Sequence, residues 1–83
     1  MKYIAVSVRD RAADIFGSPA FVPNLGSAIR AFGDAVNGKD SDLSKHPEDF
    51  DLYVIGNYDD ENGALESSDP KQVAIGKDMK IRE

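Results

Sequence analysis

The chain has no cysteine, no tryptophan and a single histidine among its 83 residues. A domain of this size buries only about 60% of the surface its unfolded chain exposes. Without cysteine, no disulfide can reinforce it, so further support must come from a metal, a ligand or a second subunit. Thiolate metal centres and thiol catalysis are excluded on the same ground. Long apolar runs are also missing. Nothing approaches the ~20 residues of a membrane span. The opening MKYIAVSVRD lacks the apolar core and cleavage pattern of a secretory signal. A soluble, membrane-free chain of a reducing compartment is expected. There is also no glycine-rich phosphate cradle followed by a lysine, and no Ser/His/Asp arrangement. The chain therefore reads as non-enzymatic, with no catalytic residue and no cofactor.

Charge is plentiful but uneven. The net charge is −5. Residues 1–46 hold six basic and five acidic side chains, and residues 47–83 hold four basic and ten acidic ones. Nucleic-acid affinity comes largely from cations meeting phosphates, so the second half repels DNA. Lys2, Arg9, Arg11, Arg30, Lys39 and Lys45 are the cations of the first half, and no basic cluster forms among them in sequence. Six ordinary solvated charges are the simpler reading.

The order of elements follows from periodicity. KYIAVSVR, residues 2–9, alternates with β-branched residues at Ile4, Val6 and Val8, which predicts a strand. Asp10 to Pro19 has no clear period. Ala20-Phe21-Val22 lies between Pro19 and Pro23, which allows at most a short edge strand. NLGSAIRAFGDAVNG predicts a helix: Asn24 caps it, and Leu25, Ala28, Ile29, Phe32, Ala35 and Val36 make one apolar stripe. Arg30 and Asp34, four apart and off the stripe, form a weak expected surface pair. Gly26 and Gly33 each cost about 1 kcal/mol against alanine in a helix, which fits either close approach of a neighbour or simple tolerance. Asn37-Gly38 is expected to end the helix, with Gly38 able to take the left-handed conformation that closes it, and Lys39 to Lys45 is read as a polar loop.

The densest chemistry lies in KHPEDFDLYVIGNYDDENG, residues 45–63. His46 with Glu48, Asp49 and Asp51 offers metal ligands, but without a second nitrogen or a sulfur the turn reading is preferred and no metal is expected. Pro47 suits the first position of a helical turn. Asp51 to Tyr58 reads as a strand with Leu52, Val54 and Tyr58 on one face and Tyr53 and Ile55 on the other. Gly56 interrupts it as a candidate bulge. DDENG fails the calcium-loop spacing and reads as a hairpin tip, with Gly63 supplying positive φ. Strands at 64–67 and 72–75 follow, and residues 77–83 are expected to fray.

These elements make one α+β domain over residues 1–83: a small mixed sheet of three to four strands with one amphipathic helix on one face, in the order β, short β, α, β, β, β. A right-handed crossover through the helix is expected to join the two long strands. The reverse face of the sheet then carries Tyr3 and Tyr53. Bases stack on exposed aromatics at about 1–3 kcal/mol each, and a second copy of the chain could cover the same face. Acidity favours the dimer over the stacking platform. Candidate nucleic-acid contacts are Arg9, Arg11, Arg30 and Lys45, with Tyr3 and Tyr53 for stacking.

Three ordered blocks, MKYIAVSVRD, AIRAFGDAVN and KHPEDFDLYVIGNYDDENG, resemble the small non-structural protein of gokushovirus-type microviruses, bacteriophages with single-stranded DNA genomes. The likeness runs over residues 1–76, and Arg30, His46, Pro47, Asp49, Tyr53, Gly56, Tyr58 and Asp59 match its pattern. It implies a non-enzymatic replication or packaging accessory in the host bacterial cytoplasm that favours single-stranded genome production. Its implied partners are single-stranded DNA, or a phage or host replication or packaging protein. The alternative is a protein-interaction module acting on a host factor without nucleic-acid contact.

Overall fold

The computed structural model describes residues 1–81. Its elements are β1 (Lys2–Asp10), β2 (Ile15–Phe16), β3 (Ala20–Val22), α1 (Leu25–Val36), α2 (Asp42–Lys45), a 3₁₀ turn (Pro47–Asp49), β4 (Phe50–Asp59), β5 (Ala64–Ile75) and α3 (Gly76–Met79). The architecture is the expected α+β layer, with α1 on one side of a small sheet. Five strands form that sheet rather than three or four. Its order is β2-β1-β4-β5, and β3 also pairs with β1.

Every strand pair is antiparallel, which corrects the expected crossover and mixed sheet. The two long strands are neighbours, but β3 changes the direction of travel. It pairs Val22 with Ile4 and so returns the chain to the start of β1 before α1 begins. The twelve residues of α1 rise about 18 Å and carry the chain back. β4 therefore enters at Phe50 opposite Asp10 and runs against β1. A parallel βαβ unit reverses direction twice between its strands; this connection reverses three times, at the turns into β2, α1 and β4.

α1 is held at both ends by its own sequence. The Asn24 side chain accepts a hydrogen bond from the Ser27 amide at 2.8 Å, satisfying an orphan donor of the first turn. Ala28, Phe32 and Val36 are buried in one cluster with Val6, Phe50 and Leu52. Burying a side chain such as Phe32 contributes about 1.5–3 kcal/mol, so this stripe anchors the helix to the sheet. The helix ends where expected, with Asn37 as its cap, but Gly38 does not take the left-handed conformation: among the described residues the glycine with positive φ is Gly63, at 73° in the β4–β5 hairpin. Ser41 caps α2 inside the segment read as a polar loop, accepting from the Ser44 amide at 3.1 Å.

Two further features differ from the sequence reading. β5 is one strand of twelve residues rather than two short ones. Ser68, Asp69 and Pro70 bulge out between the pairs Gly56–Ser67 and Val54–Lys71, so the gap between the two expected strands is an interruption within a continuous one. The chain also continues in order past Gly76. The Asn37 side-chain amide donates to the carbonyls of Gly33 and Met79, both at 2.9 Å, and its oxygen accepts from the Ile81 amide at 2.8 Å. Residues 77–81 of the expected frayed tail are thus tied to α1, and residues 82–83 lie outside the described residues.

An added Cβ at Gly33 would press on the Met79 methyl, the free end of a flexible side chain, whereas at Gly26 it would meet only the Asn24 side chain in ordinary contact. Gly33 thus has a close neighbour in α3, and Gly26 has none beyond its own cap. At Gly76 an added Cβ would run into the carbonyl oxygens of Pro47 and Phe50. Gly76→Ala is expected to lower stability by about 1–3 kcal/mol, read as a lower urea midpoint at unchanged slope. An unchanged midpoint would mean that α3 is not seated on the Pro47–Phe50 turn.

Candidate functional site

Ile55 decides what the reverse face of the sheet contains. β1 pairs Ala5 with Gly56 and Val6 with Val54, so Ile55 is an extra residue in β4 with no partner. A bulge of one residue reverses the side-chain alternation beyond it. Tyr58 was expected beside Leu52 and Val54; instead it lies opposite Tyr3. Their rings are 6.3 Å apart. Gly56 is the bulge signal that the sequence offers, and the change of parity it marks carries Tyr58 to the reverse face.

The register then defines four rows across this face. Tyr3, Tyr58 and Leu65 form the first; Phe21, Ala5, Gly56 and Ser67 the second; Ser7, Tyr53 and Gln72 the third; Phe16, Arg9, Asp51 and Ile75 the fourth. Two aromatic groups result. Phe21 lies 5.5 Å from the Tyr58 ring and so joins the Tyr3–Tyr58 pair. Phe16 meets Tyr53 edge-on at 5.3 Å, a preferred arrangement of ring quadrupoles. Between the groups, Ala5, Ser7 and Gly56 are buried. The Ser7 hydroxyl donates to the Gly17 carbonyl at 2.7 Å. Ala5 and Gly56 lie in a largely apolar dent of about 150 Å³, bordered by Pro19, Phe21, Ile55, Leu65, Glu66 and Ser67. Phe16, Phe21 and Leu65 remain 42%, 46% and 65% exposed. Gly17 and Pro19 of the excursion along the β1 edge thus reach the reverse face beside Ser7 and the dent, while its aromatic rim stays open.

The six residues singled out in sequence do not converge. Tyr3, Tyr53 and Arg9 share the face. Arg9 Nη2 pairs with Asp14 Oδ1 at 2.6 Å, and its guanidinium lies 5.5 Å from the centre of the Phe16 ring, within reach of a cation–π contact. The Asp14 hydrogen bond, with the Tyr53 hydroxyl adding to it, raises the Arg9 guanidinium above its ordinary value. Arg11 Nε contacts Asp51 Oδ2 at 2.9 Å, and Nη2 donates to the Glu48 carbonyl. Arg11 therefore fastens the end of β1 to the start of β4, around a carboxylate that is only 3% exposed. Arg30 is exposed on α1, the layer covering the opposite face, and borders an open depression with Asp34. The expected ion pair between these two is not formed among the described residues. Lys45 ends α2, exposed, beside His46. His46, Glu48 and Asp49 hold one ligand atom each within 4.8 Å of one another, with His46 and Glu48 exposed.

Phe16, Phe21, Tyr58 and Leu65 are the face residues that sequence reasoning missed. Phe16 sits in a segment without period, and Phe21 became visible only as part of an edge strand between prolines. A family model described as Phage ORF5 protein matches residues 3–79. The chain belongs to this family. No curated protein and no solved structure matches it. The matched span takes in β1 from Tyr3, the other four strands and α1, so the aromatic face lies wholly within it. No described helix is long and apolar enough to cross a membrane.

Because Arg11 is committed to Asp51, Arg11→Ala leaves a buried carboxylate without its cation. The expected cost is about 1–3 kcal/mol, measured by urea denaturation. A variant as stable as the parent would release Arg11 from its structural role.

Proposed function

We propose that this phage protein is a non-enzymatic accessory of single-stranded viral DNA synthesis or packaging in the host bacterial cytoplasm, acting by contact with a phage or host replication or packaging protein. The sequence blocks shared with the small non-structural protein of microviruses support the viral role, and membership of a phage family is in keeping with it. The observation that carries the protein-contact reading is the dispersal of the cations. Arg9 and Arg11 are held by Asp14 and Asp51, while Arg30 and Lys45 stand on helices away from the tyrosines. Phosphate binding needs several cations along one track, and the net charge of −5 opposes it further.

A second reading has one observation in its favour: Tyr3, Tyr53 and Tyr58 share a face with Phe16 and Phe21, and such rings can stack unpaired bases. A single-stranded oligonucleotide in a low-salt retardation assay separates the two readings. The expected result is no retardation. Retardation that weakens with a slope of about −0.7 per phosphate contact and is lost in Tyr53→Ala would replace the protein-contact reading with the stacking one. Removing the gene from the phage is expected to lower the ratio of single-stranded to duplex viral DNA in infected cells, or the yield of filled particles. If both were unchanged, the accessory role would fail.

A further inference from the structure

We infer that the reverse face of the sheet is the contact between two copies of this chain, packed sheet against sheet with the α1 helices outermost. The inference stands independently of which replication or packaging protein the chain serves. It rests on charge, area and shape.

Charge comes first. The described protein is acidic, yet the paired strand positions on this face bring only two charged side chains to it, Arg9 and Asp51. Each is bound within its own chain, to Asp14 and to Arg11. Two further charges reach its margins: Glu66 borders the dent over Ala5 and Gly56, and Lys77 borders the depression beside Tyr53, Gln72 and Ile75. The middle of the face is thus poor in charge on a chain of net charge −5, so two such chains can meet there with few opposing acids. Depletion of charge with enrichment of aromatic residues is the composition of an interface core.

Area comes next. Strands of nine, ten and twelve residues, with the short β2 and β3 sharing the fourth position, present roughly 570 Å² in projection at a spacing of about 4.8 Å and a rise of about 3.3 Å per residue. A standard stable interface buries about 800 Å² per partner, with a lower bound of about 600, so contact over the whole face approaches the lower end of that range. Both the rim residues and the centre contribute. Phe16, Phe21 and Leu65 are exposed large apolar side chains, and a 60–100-residue fold without disulfides gains the most from covering them.

Shape completes the argument. The dent over Ala5 and Gly56 has a volume of about 150 Å³, and an apolar cavity of about that size holds one benzene-sized group. It lies between two raised aromatic groups, so the face presents both knobs and a hole. Isologous pairing by a two-fold axis supplies each hole with a knob from the facing copy. The alternative edge-to-edge contact through β5 is blocked: Ser68, Asp69 and Pro70 bulge from that strand, and charge with proline on an edge strand discourages further pairing.

The test is the mass in solution of the full chain, by sedimentation equilibrium across a concentration series. The expected result is twice the 9.0 kDa of one chain, unchanged or strengthened as salt rises. Leu65→Asp is expected to weaken association about 100-fold or more, because a two-fold interface meets each substitution twice. Arg30→Glu, on the outer surface of α1, is expected to leave the mass unchanged. Circular dichroism of each variant confirms the fold. If Leu65→Asp unfolds, Gln72→Glu places a charge on the same face at an exposed position and is expected to dissociate the pair. A single-chain mass at all concentrations overturns the inference. So does a double mass that survives both substitutions.

Discussion

Ile55 is one residue more than the ladder between β1 and β4 can accommodate, and the character of both faces depends on it. Before the bulge, β4 sends Leu52 and Val54 toward α1. After it, the same alternation sends Tyr58 to the other side. Without that inversion one tyrosine would face the helix layer and the aromatic group at the β4–β5 hairpin end would lose its centre. Gly56 permits the close approach of β5 at this point, since an added Cβ would collide with the Glu66 carbonyl oxygen. A local irregularity therefore sorts residues between a helix-covered core and an aromatic surface.

The helix side and the reverse side are stabilised by different means. On the helix side, Val6, Ala28, Phe32, Val36, Phe50 and Leu52 exclude water together, and the hydrophobic effect needs only that they meet. The reverse side is held by directed contacts: Ser7 to the Gly17 carbonyl, Arg9 to Asp14 and Arg11 to Asp51. These contacts pin the excursion through residues 11–19 along the β1 edge and engage Arg9 and Arg11. Lys2 and Lys77 border separate depressions with Tyr58 and Tyr53, at different places on the molecule. Two arginines held in folding contacts and two separated lysines make no continuous track for phosphates, which is why an aromatic surface here reads as a protein contact.

Much of this was legible from residue spacing. Period-two alternation placed β1 and β4, the Asn24 cap and the Phe32 stripe placed α1, and Pro47 placed the 3₁₀ turn. Such signals are local, and local physics determines them. What failed was non-local. The antiparallel pairing of β1 with β4 depends on β3, three residues whose pairing with β1 no local signal announces. Phe16 belongs to a two-residue strand that exists only because β1 is beside it. Asn37 could be read as a helix end, but its side-chain bonds to Met79 and Ile81 reach across more than forty residues. Of the candidate site, the tyrosine face was legible, while the dispersal of its cations required the folded chain.

The side of the sheet on which Tyr58 stands is the claim from which the surface chemistry follows. Nuclear Overhauser contacts among ring protons measure it directly. Cross-peaks from Tyr58 to Tyr3 and to Phe21 are the predicted result, at ring separations of 6.3 and 5.5 Å. Cross-peaks from Tyr58 to Ile4 and Val54 side chains instead would place it under the helix layer and contradict the account.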